Sequence, residues 1–331
     1  MTTWVRSGSL VGARELIDEL GGDAALLAVQ AGIDPAAFAA IDFPVQISAA
    51  LSFFEAAATA CRCDNFGLRL AHYQDFSVLG PLWPLIQSAA TVGDMLRDLA
   101  NYYLLHASGG LLSAEREEHG VTIYYSFATG NGPMDRHGIA LGYGVLVREL
   151  RKIQPGWLPR RTQFCHAPPL NLTLHRAFFG RGLMFNADRN GIFIDDDLLA
   201  TPLQSVDSGT HRALSMQFKL QREILPGVLR LQTESVLRSL IPFGPCDLAV
   251  VARTMRLSRR SLQRHLAHDD TNFNQLLDAV RADLAIHYLK QSDLAISDIA
   301  EILGYAESSV LTRAFQRWYG VSPRAARNGA V

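Results

Sequence analysis

The chain has 331 residues, of which 48% are hydrophobic and 19% charged, enough apolar side chains for two substantial cores. Its formal net charge of −1 favours no class of partner. No run of eighteen apolar residues occurs, and the first residues lack the apolar core of a signal peptide. These features argue against membrane-spanning and secreted proteins, so we expect a two-domain cytoplasmic protein.

The cysteine pattern argues against metal and disulfide chemistry. Cys61 and Cys63 are two residues apart, whereas Cys165 and Cys246 are isolated. Zinc sites and disulfide frameworks need several cysteines or histidines at defined spacings. We expect reduced thiols, no bound metal and no other cofactor.

The first third of the chain is predicted to be helical. Apolar residues recur there at helical spacing, and prolines separate the periodic segments. The predicted helices span residues 13–20, 23–31, 48–60 and 91–106.

A β-hairpin is predicted next, over residues 111–117 and 121–128. In its second strand Ile123, Tyr125 and Phe127 alternate with polar residues, which is typical of a half-buried strand. A helix over 135–152 follows, and then short strands over 162–166, 183–185 and 191–194. The predicted class is α+β and helix-dominated, with a mixed N-terminal domain and an all-α C-terminal domain.

Four side chains are the candidate ligand-binding residues of the N-terminal domain. Tyr102, Tyr103 and His106 end a predicted helix, and Tyr124 lies on the hairpin. Such residues can line a mostly apolar pocket with a few polar tips, which favours an apolar or fatty-acid-like small molecule. The alternative is that they are ordinary core and interface aromatics.

The sequence does not favour an enzyme. It lacks a nucleophile elbow, a phosphate-binding loop, a zinc-protease helix and a glycine-rich dinucleotide fingerprint. The run Asp195-Asp196-Asp197 is more typical of the start of a solvated helical turn than of a carboxylate pair. A catalytic first domain fused to the all-α C-terminal domain is the remote alternative.

The domain boundary is predicted between residues 202 and 225. We expect a first domain over 1–210, a linker helix over 211–226 and a second domain over 227–331. Charge is divided unequally: residues 219–331 hold fifteen Lys and Arg against eleven Asp and Glu, and residues 1–218 hold sixteen against twenty-one.

The second domain contains the same helix-turn-helix pattern twice. Val251-Ala252 aligns with Ile299-Ala300 at an offset of 48, and Arg264 aligns with Arg313 at an offset of 49, so the second turn has one extra residue. Apolar residues at helical spacing over 273–289 predict one long connecting helix. Two such units on a rigid connector can reach successive turns of one face of DNA.

The second helix of the first copy carries the strongest candidates for base recognition. Ser258 is the predicted N-cap, and Arg259, Arg260, Gln263 and Arg264 follow on one side. Arginine can bind guanine, and glutamine can bind adenine, through two hydrogen bonds. The alternative is an ordinary solvated helix face. No acid occurs over 248–268, which suits attraction to phosphates.

The corresponding helix of the second copy has shorter side chains. Ser308, Thr312 and Arg313 are its groove-facing candidates, and Glu307 can cap the helix or accept from a cytosine amine. We expect this helix to read fewer bases and to contribute phosphate contacts and shape readout.

The C-terminal third carries a signature of many residues at fixed spacing: Ile299, Ala300, Leu303-Gly304-Tyr305, Ser309, Arg313-Ala314-Phe315, Trp318, Gly320 and Ser322-Pro323. This signature resembles that of the AraC/XylS family of bacterial transcription regulators. Leu311 and Ala326 depart from that family, which usually has aromatic residues there; we expect Leu311 still to pack and Ala326 to leave the last helix loosely held.

The first two thirds resemble the arabinose-binding-like sensory domain of a subgroup of these regulators that includes mycobacterial virulence-associated members. Nothing in the chain resembles a dedicated sugar site, so the domain's name does not point to arabinose. The matching residues are Leu20-Gly21, Ala31-Gly32-Ile33-Asp34, Phe66-Gly67-Leu68-Arg69-Leu70, Leu79-Gly80-Pro81, Phe178-Phe179-Gly180 and Phe185-Asn186.

These resemblances imply a sequence-specific regulator, more typically an activator, associated with the nucleoid. Its expected partners are a double-stranded DNA operator, RNA polymerase, a small-molecule effector and a second copy of the chain. An effector-free regulator, whose first domain only dimerises or binds a protein, is the alternative.

Overall fold

The computed structural model describes residues 3–127, 135–203, 208–224, 228–244, 246–255, 257–291 and 294–327. The chain divides into unit 1, residues 1–225, and unit 2, residues 226–331. No helix in these ranges is both long enough and apolar enough to cross a membrane.

Unit 1 is built mainly of helices. Short 3-10 turns connect several of them, including one over Tyr103–Leu105 that directly follows the sixth helix. The helices are α1 (Ala13–Glu19), α2 (Ala24–Gln30), α3 (Ile47–Ala60), α4 (Phe66–Leu70), α5 (Leu82–Gln87), α6 (Val92–Tyr102), α7 (Arg136–Ile153), α8 (Thr173–Phe179), α9 (Asp196–Leu199) and α10 (Ser208–Ile224).

The strands of unit 1 form a small mixed sheet and a separate two-stranded pair. The strands are β1 (Trp4–Arg6), β2 (Pro44–Gln46), β3 (Gly110–Glu117), β4 (Gly120–Phe127), β5 (Thr162–Gln163), β6 (Leu183–Met184) and β7 (Gly191–Asp195). The sheet order is β3-β4-β7-β5-β6, antiparallel except for the β5–β6 pair. β1 pairs with β2, also antiparallel. The predicted α+β, helix-dominated class is confirmed.

Helix α7 runs through the core of unit 1 and packs closely on α4. Gly67 makes that approach possible, because a Cβ added there would lie 2.1 Å from the carbonyl oxygen of His137. At the other end of the contact, a Cβ on Gly144 would lie 2.7 Å from the Cβ of Ala71. The two helices therefore come this close together because glycine has no side chain at either position.

Substitution of Gly67 by alanine is expected to destabilise unit 1 by about 1–3 kcal/mol, because the added methyl group meets backbone that cannot rotate away. Thermal unfolding of the full chain measures the effect. The exposed Thr59 of α3 supplies the control, since Thr59→Ala is expected to change stability by less than about 0.5 kcal/mol. Equal unfolding temperatures for the two variants would contradict this packing argument.

The structure of unit 1 confirms some of the predictions made from the sequence and corrects others. The helix predicted over 91–106 is shorter in the structure: α6 ends at Tyr102, and the 3-10 turn follows it. The Asp195 carboxylate accepts a hydrogen bond from the backbone N–H of Leu198 and so caps α9, which confirms the helical-turn interpretation of the aspartate run. Strands β1 and β2 and the short helices α4, α5 and α8 were not predicted. Both strands and the helices α4 and α5 have only three to six residues, too few to show a clear period.

Unit 2 is entirely helical in the residues described. Its helices are α11 (Val228–Leu240), α12 (Leu248–Thr254), α13 (Arg259–His268), α14 (Phe273–Gln291), α15 (Ile296–Ile302), α16 (Ser308–Tyr319) and α17 (Pro323–Ala325), with a 3-10 turn at Ile241–Phe243. One hydrophobic cluster includes residues from α11 through α16, so both helix-turn-helix copies share a core. The predicted tandem arrangement and the long connecting helix are confirmed.

The two turns are closed by the same backbone hydrogen bond. The N–H of Leu257 donates to the carbonyl of Ala252 at 2.8 Å, and the N–H of Tyr305 donates to the carbonyl of Ala300, also at 2.8 Å. In the second turn Gly304 adopts a φ of +74°, a conformation that glycine accepts without strain. The repeat detected in the sequence is thus a repeat of backbone geometry.

The two departures noted in the sequence are both accommodated. Leu311 is 1% exposed and packs in the shared core, as expected. Ala326 is also 1% exposed, and Ser322 caps the short α17 through the N–H of Ala325 at 3.2 Å. The small methyl group of Ala326 is itself buried, and the looser attachment expected for the last helix stays a prediction.

Candidate nucleic-acid interface and buried cavity

Helix α13 presents four long polar side chains to solvent. Its first turn is capped by Ser258, whose hydroxyl accepts from the N–H of Ser261 at 3.0 Å. Leu262 and Leu266 are fully buried, which fixes the rotation of the helix about its axis. The opposite side is exposed and consists of Arg259, Arg260, Gln263 and Arg264.

Within the described residues, these four side chains form no hydrogen bond and no ion pair. Arg260 and Arg264 lie one turn apart on one face, with Gln263 beside them, so all three can approach the same groove. The structure brings together the residues that the sequence selected in this helix.

Helix α16 offers a smaller set. Ser308 and Arg313 are exposed, but the Thr312 hydroxyl donates to the carbonyl of Ser308 at 2.9 Å and keeps only its acceptor capacity. Glu307 occupies the N-cap position without capping, since its carboxylate accepts from the Ser309 hydroxyl at 2.9 Å. Of the two roles considered for Glu307, the structure does not show capping of α16, and acceptance from a cytosine amine stays a prediction.

Helix α16 is fixed to the connecting helix α14 by polar contacts. Asp278 of α14 accepts from Nη2 of Arg317 at 2.7 Å and from Nε1 of Trp318 at 2.9 Å. The Arg281 guanidinium, one turn further along α14, lies 4.8 Å from the ring centroid of Tyr305 in the turn. Together, the contacts of Asp278 and Arg281 hold the second helix-turn-helix in one orientation on α14.

A cavity of about 100 Å³ lies inside unit 1, bounded by the β3–β4 hairpin, α3 and α7. Its wall is mostly apolar, with side chains such as Leu51, Phe54 and Leu141. None of the lining residues is an Asp, Glu, Lys or Arg. The glycines of α7 at positions 138 and 142 face this space and keep the helix close to the strands.

A group of hydrogen-bonding side chains lies at one part of the cavity wall. The hydroxyl groups of Tyr103 and Tyr125 are 2.8 Å apart and form a hydrogen bond. Next to them, the ring of His106 lies 5.5 Å from that of Tyr103, centroid to centroid. The Nδ1 atom of His106 is buried and has no hydrogen-bond partner among the described residues.

These groups are uncharged. Burial, assisted by the Arg6 guanidinium, lowers the pKa of His106 to about 3. Burial likewise raises the pKa of Tyr103 to about 12 and that of Tyr125 well above its usual value. The cavity therefore stays neutral through the physiological pH range.

Two of the four residues proposed as ligand contacts do not line this cavity. Tyr102 turns towards α10, where its ring lies 5.8 Å from that of Phe218 and its hydroxyl donates to the carbonyl of Ser215 at 3.4 Å. Tyr124 lies on the other face of β4, 3.5 Å beneath the Arg189 guanidinium. Tyr102 does not reach the cavity because its position on the helix directs it towards α10. Tyr124 does not reach it because successive side chains of a strand point to opposite faces.

The residues that sequence reasoning missed are Tyr125, Tyr143 and Gln74, all in the wall of the cavity. Tyr143 of α7 joins the helix to β4, because its hydroxyl accepts from the N–H of Tyr125 and donates to the carbonyl of Ile123, both at 3.1 Å. A signal for Tyr125 was present, since it alternates with Ile123 and Phe127 on the apolar side of the strand.

The four cysteines are free thiols. Burial raises the pKa of Cys165 to about 12 and that of Cys246 to about 11, so neither is an activated nucleophile. In the part of the chain that the structure describes, no group of three histidine, cysteine or acidic side chains is placed to hold a metal ion.

Two family models match the chain. Residues 21–203 match the arabinose-binding domain of AraC transcription regulator, N-terminal, and residues 251–329 match a helix-turn-helix domain. The first of these models alone includes more than half of the chain, and its match ends near the start of α10.

Known proteins resemble the chain over most of its length. The HTH-type transcriptional regulator VirS of Mycobacterium tuberculosis is 28% identical over 323 residues, which are 97% of this chain and 95% of VirS. The regulator VqsM of Pseudomonas aeruginosa is 25% identical over 274 residues, 79% of this chain and 83% of VqsM. The crystal structure of the regulator CdpR from Pseudomonas aeruginosa aligns at 20% identity with a TM-score of 0.45, covering 92% of this chain and 96% of that one.

Proposed function

Because the chain belongs to the AraC family of transcription regulators, we propose that unit 2 recognises its operator with two helices that contribute unequally. In this proposal α13 selects the bases, and α16 mainly positions the protein on the backbone. The observation that carries the proposal is the exposed face of α13, whose four long polar side chains have no partner in the described structure.

Base selection by α13 follows from the chemistry of that face. Arg260 and Arg264 can each bind the O6 and N7 atoms of guanine, and Gln263 can bind the N6 and N7 atoms of adenine. Arg259 occupies the first position of the helix, which supports a contact with phosphate or with a neighbouring base. Long side chains in the first turns of a recognition helix are those that reach base edges.

The weaker contribution proposed for α16 follows from the hydrogen-bonding groups and charges that its side chains still have available for DNA. Thr312 can only accept, and Glu307 places a negative charge at the helix N-terminus, where it opposes close approach of a phosphate. Arg313 remains as the long cationic side chain of this face. We propose that it contacts the backbone and that Ser308 adds one short polar contact.

We further propose that unit 1 senses a small molecule in its cavity and forms a homodimer. We also propose that the protein is associated with the nucleoid and activates transcription by contacting RNA polymerase. The neutral cavity with an unsatisfied histidine nitrogen supports the sensing role. Membership of the family supports the other roles. Genome-wide footprinting combined with transcript analysis of a deletion strain tests activation, because activated genes lose expression when the regulator is removed.

Single alanine substitutions test base selection by α13. We expect Arg260→Ala and Gln263→Ala each to reduce discrimination at one operator position by about 1–3 kcal/mol, the size of a bidentate base contact. Selection of binding sites from a random library measures this effect position by position. Arg181→Ala, which removes an exposed arginine from unit 1, is the control and should select the wild-type sequence. Unchanged base preferences in both α13 variants would refute the assignment.

A further inference from the structure

The cavity of unit 1 contains more hydrogen-bonding capacity than the protein uses. Two hydroxyl groups that share one hydrogen bond leave one hydrogen over, so the Tyr103–Tyr125 pair keeps a donor for another acceptor. The Nδ1 atom of His106 and the Oγ atom of Ser9 are buried without a partner among the described residues, and both side chains line the cavity. Buried polar atoms are rarely left unpaired in native proteins, so these atoms point to a missing partner.

The same wall excludes a charged partner. No lining residue carries a formal charge, and burial keeps His106 in its neutral form. An ionised carboxylate would lose its water without gaining a counter-ion, which is strongly unfavourable in an apolar site. Within the expected class of apolar or fatty-acid-like small molecules, this wall therefore favours an uncharged molecule over an ionised fatty acid. A sugar fits no better, because most of its hydroxyl groups would face apolar side chains such as Leu51 and Phe54.

The size of the cavity limits the ligand further. A cavity of about 100 Å³ is smaller than an engineered apolar cavity of about 150 Å³ that binds benzene in another protein. Only a small molecule fits without rearrangement of the core. Two aromatic rings of the wall, those of Tyr103 and Tyr125, are packed edge to face with centroids 5.5 Å apart, which favours an aromatic or cyclic ligand beside them.

We propose that the effector of unit 1 is a small, uncharged, mainly apolar molecule with a single hydroxyl group, of the phenol or cyclic-alcohol class. The hydroxyl accepts a hydrogen bond from the Tyr103–Tyr125 pair and donates one to Nδ1 of His106. The apolar body lies against α3 and α7. This inference rests on the proposed effector-sensing role and specifies the chemistry of the same site.

The experiment measures binding of four probes to the full-length protein by isothermal calorimetry: phenol, toluene, benzoate and arabinose. We expect phenol to bind most tightly, toluene about tenfold more weakly because it lacks the hydroxyl, and the other two not to bind. In the His106→Phe variant the preference for phenol over toluene should shrink to less than about threefold. In the Ala50→Leu variant, whose added carbons fill the cavity, phenol binding should disappear.

A matched control separates recognition from general destabilisation. His175 is buried like His106 and also has an unpartnered Nδ1 atom, but it lies outside the cavity among Phe164, Phe179 and Phe185. His175→Phe should therefore keep the wild-type preference for phenol. Circular dichroism and thermal unfolding establish that each variant is folded before binding is compared.

The outcomes distinguish the ligand class from the sensing role. Benzoate or arabinose binding that Ala50→Leu abolishes would overturn the proposed class while leaving the cavity as the effector site. Absence of binding by all four probes would overturn the proposed ligand class, whereas phenol binding that Ala50→Leu does not affect would overturn the cavity as the site. Loss of the phenol preference in His175→Phe as well would overturn recognition by His106. Operator binding by unit 2 is measured separately and is independent of these results.

Discussion

Binding of the full-length protein to its operator is expected to weaken about a thousandfold when salt is raised from 50 to 200 mM, on the basis of roughly six phosphate contacts. Each contact releases counterions from the DNA, so affinity falls as a power of the salt concentration. The exposed arginines of unit 2 that form no ion pair with described residues are Arg253, Arg259, Arg260, Arg264, Arg313 and Arg324.

A single variant tests whether α13 provides part of this dependence. Replacing Arg259, as a phosphate contact, by alanine should lower the magnitude of the slope of log affinity against log salt by about one, whichever operator sequence is used. Arg181→Ala removes one exposed arginine from unit 1 and should leave the slope unchanged. Fluorescence anisotropy at five salt concentrations gives both slopes. Identical slopes in the α13 variant and the wild-type protein would contradict the proposed DNA interface.

The second large effect is expected from Phe315→Ala, which should destabilise unit 2 by about 3–5 kcal/mol. Phe315 is fully buried in the shared core, and its ring centroid lies 4.8 Å from that of Tyr319. Truncation leaves a void in this shared core. Because a domain of this size has only about 5–15 kcal/mol of stability, a large part would be lost, and operator binding would weaken with it.

Hydrogen exchange measured by mass spectrometry on the full chain follows the two units separately. Faster exchange is expected throughout unit 2 and unchanged exchange in unit 1. Gln316→Ala, at the exposed neighbouring position, should change stability by less than about 0.5 kcal/mol. Wild-type exchange in unit 2 of the Phe315 variant would show that the two copies do not share one cooperative core.

Unit 2 was largely predictable because its sequence repeats. The aligned positions of the two copies, such as Ala252 and Ala300, are buried for the same packing reason, and the extra residue of the second turn is visible in the change of offset. What the sequence did not reveal is how side chains use their spare hydrogen-bonding groups. Thr312 donating to its own helix, and Glu307 accepting from Ser309 instead of capping, are choices among local partners of similar energy.

The cavity of unit 1 was predictable only in part. Tyr103 and His106 were selected from the sequence and do line it, whereas Tyr124 was chosen although alternation places Tyr125 on the inner face. The outer face of β4 is also covered, since Thr122 is fully buried beneath Arg161. A strand covered on both sides gives no simple polar and apolar alternation. The volume of the cavity depends on packing among α3, α7 and the hairpin, which no local pattern encodes.

The contacts of Asp278 and Arg281 have a consequence for the spacing of the operator. They hold the second helix-turn-helix on α14, while the shared core holds the first. The distance and angle between α13 and α16, the two helices proposed to contact DNA, are then fixed by the protein. One added base pair between the two half-sites turns the second by about 34–36°, given 10–10.5 base pairs per turn. A regulator built in this way requires a fixed spacer length, even where the spacer's own sequence is free to vary.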